Sequence, residues 1–241
     1  MRGIILSGGS GTRLRPLTKI TSKQLLPVYH RPMIYYPLNT LIRAGIKEIL
    51  IIVAPERAGD YLNLLGSGKE FGVKFTYEIQ DKPEGLAQAF IIGENFIDDE
   101  DVTMILGDNI FEDDFSDEIK NFTGGAKIFA KQVSDPERFG VVKFDKNLKA
   151  EKIVEKPQEF LSDFAVTGLY VYDNRVVKVA KEMKPSVRGE LEITDVNNWY
   201  LQKGELNVAM VSGEWLDAGT FDSLLKAQTF AKDKLAGKML I

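Results

Sequence analysis

The sequence predicts an α/β fold with a mixed, mostly parallel central sheet. Short apolar runs alternate with segments of helical periodicity up to about residue 110. Several of these runs are continuous rather than alternating, as expected for strands covered on both faces. Beyond that point strand-like segments become more frequent and helices are interleaved among them. No stretch rich in Pro, Gly or Ser, no repeat and no low-complexity tract divides the chain, so residues 1–241 are expected to form one domain.

The elements follow in order. Residues 2–7 read as a buried strand that runs into turn chemistry lasting to about Pro16. Pro32–Ala44 reads as a helix with Ile34, Leu38, Leu41 and Ile42 on one face and Gly45 as its C-cap. Glu48–Val53 is an apolar strand, Asp60–Leu65 a helix and Val73–Ile79 an alternating strand. Gly85–Phe96 reads as a helix and Val102–Leu106 as another buried strand. This strand–helix alternation is the pattern of right-handed crossovers. In the second half, strands are expected at Ala126–Val133, Val141–Asp145, Lys152–Glu155, Val166–Tyr172 and Leu206–Val211. Helices are expected at Arg175–Met183, Ile193–Lys203 and Phe221–Ala231.

Composition narrows the function classes. Hydrophobic residues make up 44% and charged residues 27%, ordinary values for a globular chain. The absence of cysteine removes disulfides and thiolate metal sites, and the single His30 removes any multi-histidine centre. His30 itself reads as a loop residue without an evident partner. The apolar run near the N-terminus is too short for a signal peptide or membrane span, so a cytoplasmic protein is expected. Residues 1–47 carry eight basic side chains (Arg2, Arg13, Arg15, Lys19, Lys23, Arg31, Arg43 and Lys47), while all 35 acidic residues lie beyond. Such a segment suits a small anion better than a nucleic acid, although charge alone does not separate an anion site from chance clustering.

Inside this basic segment, Leu6-Ser-Gly-Gly-Ser-Gly-Thr-Arg13 ends the first strand. It is not a Walker A loop, because counting from Gly8 Arg13 and Leu14 stand where the second Gly and the Lys belong; nor is it a dinucleotide fingerprint, because Leu14 replaces the third glycine. A loop with so little side-chain bulk can still present backbone N–H groups to phosphates, with Arg13 and Lys23 as charge partners. The acidic runs Asp98–Asp101 and Glu112–Asp114 lack the ligand spacing of calcium loops and read as solvated turns. Tyr35, Tyr36, Phe71, Phe75 and Tyr77 read as core and interface rather than as a base-stacking platform.

Gly8-Gly-Ser-Gly-Thr-Arg-Leu-Arg-Pro-Leu-Thr18 followed by Ser22-Lys-Gln-Leu-Leu-Pro-Val28 resembles the signature of the sugar-1-phosphate nucleotidyltransferases. Gln80 with Gly85–Ala89, Leu106–Ile110, Asp135–Val142, Glu155–Pro157, Val166–Tyr170, Arg188–Asp195 and Trp215–Thr220 resembles its glucose-1-phosphate thymidylyltransferase branch, in order along essentially the whole chain. The resemblance implies a three-layer, Rossmann-like nucleotidyltransferase fold whose N-terminal half binds nucleotide and whose C-terminal half binds sugar phosphate. It implies dTTP (or UTP) and glucose 1-phosphate as substrates, Mg²⁺ as cofactor, and neither nucleic acid nor membrane as partner. A homo-oligomer is left open. Longer members continue with a C-terminal helical extension, so their regulatory site and tetramer are not carried over.

Residue by residue, the resemblance assigns Leu6, Gly8, Gly9, Ser10, Gly11, Thr12, Arg13, Lys23, Gln24, Gln80, Pro83 and Gly85 to the nucleotide. It assigns Asp108, Gly140, Glu155, Lys156, Val166, Tyr170 and Arg188 to the sugar phosphate, with a structural ion pair as the other reading of Arg188. Asp108 and Asp217 are implied as metal ligands, and Arg13, Lys23, Asp108, Lys156 and Asp217 as the catalytic set. Two readings compete with this one. A nicotinamide oxidoreductase is disfavoured by Leu14 and by the apolar end of the Glu48–Val53 strand. A silent nucleotide-sugar-binding subunit is disfavoured by the presence of all five catalytic residues.

Overall fold

The computed structural model describes residues 1–237 and 241. Strand β1 (Arg2–Ser7) opens the chain, and three single-turn 3-10 segments fold the basic stretch behind it. A two-residue hairpin, β2 (Pro27–Val28) and β3 (Arg31–Pro32), leads into helix α1 (Tyr35–Arg43). Then come β4 (Glu48–Val53), α2 (Ala58–Leu65) and β5 (Lys74–Ile79). Two short helices, α3 (Gln88–Ile92) and α4 (Glu94–Ile97), precede β6 (Val102–Leu106) and β7 (Asn109–Phe111). Helix α5 (Ser116–Lys120), β8 (Ala126–Gln132), β9 (Gly140–Phe144), β10 (Ala150–Glu155) and β11 (Phe164–Tyr172) follow. The chain ends with α6 (Val176–Glu182), α7 (Ile193–Gln202), β12 (Leu206–Met210), β13 (Trp215–Asp217) and α8 (Phe221–Phe230).

Nine strands form the main sheet, in the path β10-β9-β11-β6-β1-β4-β5, with β8 and β12 branching from β11. The first-half strands β6, β1, β4 and β5 are parallel, whereas β11 runs antiparallel to β6, β8 and β9. The expected mixed sheet is therefore present. The period-2 alternation of each strand feeds two cores. Ile4, Leu6, Leu50 and Ile52 pack with Phe90, Val179, Val196 and Tyr200 under α3, α6 and α7. Ile5, Ile49, Ile51 and Val53 pack with Leu38, Leu41, Tyr61, Leu65 and Ile119 under α1, α2 and α5. This gives the helix–sheet–helix layering of a three-layer α/β protein. A third core joins Leu14, Leu26, Val28 and Met33 to Ile110, Ala218, Leu224 and Ala227, so α8 anchors the segment that follows the glycine-rich loop. Its start is fixed by a capping box between Thr220 and Ser223.

Several sequence expectations need correction. Helix α1 begins at Tyr35 rather than Pro32, because Pro32 pairs with Pro27 and the amides of Met33 and Ile34 bond back to Leu26 and Gln24. The helix expected over Gly85–Phe96 breaks into α3 and α4 at Gly93, and Gly85 stays outside it. The small β7–β13 sheet is not among the expected elements; it pairs Trp215 with Phe111 and Asp217 with Asn109. Glu112–Asp114 is more than a solvated turn: Asp113 accepts from the Ser212 and Gly213 amides at 2.7 Å each, and Asp114 pairs with Arg43 at 2.6 Å. His30 has a partner after all, accepting from Arg31 Nε at 3.0 Å. The aromatic group behaves as expected, with Tyr35, Phe71, Phe75 and Tyr77 in successive ring contacts and Tyr36 buried.

Candidate active site

Strands β1 and β6 lie side by side with Leu6 opposite Leu106, so the loops leaving their C-terminal ends meet. Open α/β sheets place their ligands at this edge. On one side, a cavity of about 210 Å³ is lined by Leu6, Gly9, Lys23, Gln24, Gln80, Pro83, Gly85 and Asp108. Gly8 stands where a β-carbon would collide with the Gln80 amide oxygen, so glycine is what allows that side chain to lie against the loop. Gly85 adopts φ +109° and packs on the Leu191 backbone, a position closed to any residue with a β-carbon. Hydrogen bonds from Leu191 N to Glu84 O (2.7 Å) and from Ala87 N to Leu191 O (3.1 Å) hold the two segments together there.

On the other side, a cavity of about 510 Å³ is lined by residues of both halves, among them Arg13, Asp108, Gly140, Glu155, Lys156, Val166, Tyr170, Arg188 and Asp217. The two cavities share Leu86, Leu106, Asp108 and Glu190, which makes them neighbouring parts of one cleft. Asp108 lies at the seam. Lys23 Nζ donates to Asp108 Oδ2, and the Asn109 amide donates to Asp108 Oδ1 at 3.0 Å. Asn109 Oδ1 in turn accepts from Trp215 Nε1 at 2.6 Å and from Gly168 N at 2.9 Å. The β7–β13 pairing then brings Asp217, from far along the sequence, beside the same carboxylate, with Ala218 N donating to Asp108 O at 3.0 Å.

The charges here are strongly coupled. Burial disfavours the Asp108 anion, but the adjacent Lys23 ammonium outweighs it and holds that carboxyl below its usual range. Burial also works against the Lys23 cation, yet Asp108 keeps its pKa above the ordinary lysine value. Asp217 goes the other way. Burial, followed by the Asp108 charge, pushes its carboxyl up to about 7 against the opposing pull of Lys23 and Arg13. Arg13 reaches this point from the glycine-rich loop, its guanidinium and the Asp217 carboxylate both lying on Gly219.

One wall of the larger cavity is a lattice of acids around one guanidinium. Arg188 donates from Nη2 to both oxygens of Glu192 at 2.8 and 2.9 Å, and approaches Glu190 at 3.2 Å and Glu155 at 3.5 Å. Arg188 is thus engaged in ion pairs with these acids. Glu155 Oε2 accepts from Thr194 Oγ1 at 2.6 Å. Lys156 is held at φ +42° immediately before Pro157, with its N–H on Phe139 O at 2.9 Å. A non-glycine residue in that region costs about 1–3 kcal/mol and is typically found where function needs the geometry.

Every cavity-lining position named from the sequence reaches the cleft except Gly8, Ser10, Gly11 and Thr12, which belong to the loop but line neither cavity. Sequence reasoning assigns no role to Asn109, Trp215, Thr194 or Glu192. All four lie inside the motifs quoted above, but the motif strings do not show that Asn109 bonds Asp108, Trp215 bonds Asn109, Thr194 bonds Glu155 and Glu192 bonds Arg188.

The family model described as nucleotidyl transferase matches residues 2–234. The chain belongs to that family. It is 55% identical over 238 residues to a glucose-1-phosphate thymidylyltransferase of Neisseria meningitidis serogroup A, covering 96% of this chain and 83% of that protein. It is 52% identical to the protein of the same name from Mycolicibacterium smegmatis, covering 96% and 82%. Among solved structures it matches a Bacillus anthracis protein described as a putative glucose-1-phosphate thymidylyltransferase, in complex with a sucrose, with TM-score 0.92, 51% identity and coverage of 97% and 96%. A UDP-glucose pyrophosphorylase complexed with UDP-glucose shares the fold at TM-score 0.85 and 23% identity.

Nucleotidyltransferases of this family generally depend on a divalent metal, and the donor set tests whether this chain suits one. No group of three or more His, Cys, Asp or Glu side chains forms a metal cluster among the described residues. Asp108 and Asp217 are two hard oxygen donors held close enough for the Asp108 charge to help raise the Asp217 carboxyl. Such a pair fits a cation that takes one or two carboxylates and completes its shell with phosphate and water. No helix among the described residues is long and apolar enough to cross a membrane.

Proposed function

We propose that this nucleotidyltransferase joins dTTP and glucose 1-phosphate to give dTDP-glucose and pyrophosphate. The observation that carries the reading is the convergence of Lys23, Asp108 and Asp217 at the seam of two cavities, one bounded by the glycine-rich loop and one by Lys156. The names of relatives about half identical over nearly the whole chain support the choice of substrates. A phosphate oxygen of the sugar 1-phosphate attacks the α-phosphorus. The bond to the bridging oxygen of the β-phosphate breaks, and pyrophosphate leaves with that electron pair. The nucleophile is an anion at neutral pH, so no general base is required, in keeping with a chain that has one histidine, exposed, and no cysteine.

What the residues supply is position and charge. The loop from Leu6 through Gly8, Gly9, Ser10, Gly11 and Thr12 holds the triphosphate with its amides, while Arg13 and Lys23 neutralise it. Gln24, Gln80, Pro83 and Gly85 surround the base. Gly140, Val166 and Tyr170 shape the sugar side, Glu155 binds sugar hydroxyls, and Lys156 meets the incoming phosphate. Arg188 organises the acidic wall. Asp108 and Asp217 hold Mg²⁺, which when bound offsets the phosphate charge. The test is pyrophosphate release across a matrix of triphosphates and sugar 1-phosphates with and without Mg²⁺. The expected result is turnover with dTTP and glucose 1-phosphate that depends on the metal; absence of turnover with every pair would remove the reading.

A further inference from the structure

An acid pair drawn from two strands is only as precise as the pairing of those strands. Asp217 ends β13, whose ladder sets Trp215 opposite Phe111, Leu216 opposite Ile110 and Asp217 opposite Asn109. Side chains alternate along a strand, so Trp215 and Asp217 share one face and Leu216 takes the other. A slip of one residue would turn Asp217 away from Asp108 and bring Leu216 or Ala218 in its place. A two-stranded ladder this short is marginal by itself.

Charged side chains from outside the cleft extend it. Asp113 lies just past β7, and its carboxylate accepts from Ser212 N and Gly213 N at 2.7 Å each. Glu112 N donates to Glu214 O at 2.9 Å, and Glu112 Oε2 accepts from Glu214 N at 3.2 Å. From the other side, Lys131 Nζ on β8 donates to Ser212 O at 3.0 Å. Gly213 makes this approach possible, since a β-carbon there would collide with the Asp113 carboxylate and the Glu112 side chain. The acidic turn is itself anchored at the end of α1, where Asp114 pairs with Arg43 at 2.6 Å and Ser116 Oγ donates to Arg43 O at 2.9 Å. Charge-assisted bonds to two successive amides, with glycine required at the second, single out one register for the segment entering β13.

We propose that Asp113, with Lys131 opposite it, is a positioning residue that registers β13 and so sets Asp217 against Asp108 for the divalent cation. The inference rests on the proposed nucleotidyl transfer and gives a role to the acidic turn Glu112–Asp114, which that reading leaves unused. Asp113 lines neither cavity of the cleft. Its effect passes through Asp217, so its loss is felt as weaker metal binding rather than as a lost substrate contact.

Asp113→Ala tests this by two readouts. The Mg²⁺ concentration for half-maximal pyrophosphate release should rise by about tenfold, as when a group that orients a metal ligand is removed. Saturating Mg²⁺ should restore most of kcat, with the KM values of both substrates little changed. The second readout needs no metal. In a Trp199→Phe background Trp215 is the single tryptophan. Because it shares a face with Asp217, its emission should shift to the red as its ring leaves Asn109. Asp113→Asn keeps one acceptor oxygen and should fall between wild type and Asp113→Ala in both measurements.

Any one of three results for folded Asp113→Ala overturns the proposal: wild-type Mg²⁺ dependence, a loss that saturating Mg²⁺ does not relieve, or unchanged Trp215 emission. If that variant does not fold, Lys131→Met loosens the same segment from the β8 side and is read in the same two ways. Wild-type enzyme without turnover on any triphosphate removes the underlying function. Trp215 emission, with Mn²⁺ binding followed by electron paramagnetic resonance, then decides the register proposal separately.

Discussion

The two walls of the cleft handle charge in different ways. On the side we propose for the nucleotide the chain offers backbone: a loop of small residues, two cations on short 3-10 turns, and no acid before Glu48. On the side we propose for the sugar phosphate it offers side chains of opposite charge, with Glu155, Glu190 and Glu192 gathered around Arg188. A triphosphate brings high negative charge, and amides at a loop bind it without the desolvation cost of extra buried cations. A sugar 1-phosphate brings one phosphate and several hydroxyls. Carboxylates are good partners for hydroxyls, but they repel the phosphate unless a guanidinium offsets them. The seam between the walls, Asp108 with Asp217, belongs to neither scheme: like charges have been brought together, and Asp217 is raised to about 7 as a result of burial and that proximity.

The largest effects are expected at that seam. Asp217→Ala should lower kcat by about 10²–10³-fold with the fold retained, read as pyrophosphate release alongside circular dichroism. Chelation of divalent cations should abolish turnover of the wild type, and added Mg²⁺ should restore it. Near-normal release by folded Asp217→Ala protein would place the metal elsewhere. Next in size is Lys156→Ala on the sugar wall, with a loss of about 100-fold in kcat and little change in triphosphate KM. A loss confined to the triphosphate KM would move Lys156 to the other wall and break the division.

Arg188 separates the two schemes more finely. Arg188→Ala leaves three acids without their counter-charge beside an anionic substrate, so the KM for glucose 1-phosphate should rise by about tenfold while the triphosphate KM stays constant. Adding Glu192→Gln to that variant removes one of the uncompensated charges and should recover part of the loss. No recovery would mean that Arg188 contacts the phosphate itself.

The contrast between the walls also decides what can be read in the sequence. The nucleotide wall is local: strand, glycine-rich loop and basic turns follow within residues 2–25, and each is recognisable from residue type and spacing. Ile4, Ile5, Leu50 and Ile51 announce their strands because continuous apolar runs suit a sheet covered on both faces. The seam and the sugar wall are non-local. Asp217 meets Asp108 only through the three-residue β7–β13 ladder, too short to leave a periodic signal. Asn109, followed by apolar Ile110 and Phe111, carries no mark of the three bonds that link it to Asp108, Trp215 and Gly168. Periodicity does not help at Gly93 either, where helical propensity on both sides hides a break at the point where Leu50 and Ile4 pack against the backbone.

The smallest predicted effect lies outside the cleft, where a second charge cluster provides a control without a substrate. Asp173 accepts from Gly125 N at 2.8 Å, Tyr200 OH at 2.8 Å and Arg175 Nη2 at 2.6 Å. Burial raises its pKa, but these donors and the Arg175 charge outweigh burial and leave the carboxyl below its ordinary value. The unfolded chain, with a carboxyl pKa of about 3.9, binds a proton more readily than the folded one. The cluster therefore contributes stability above that value and loses it as the pH falls through the lower, folded pKa. Wild-type protein should lose thermal stability more steeply than Asp173→Asn as the pH is taken below about 4, with activity at neutral pH almost unchanged. Parallel acid curves for the two proteins would mean that Asp173 gains nothing from its partners. Charge pairing in the second half of the chain would then matter only where a substrate enters.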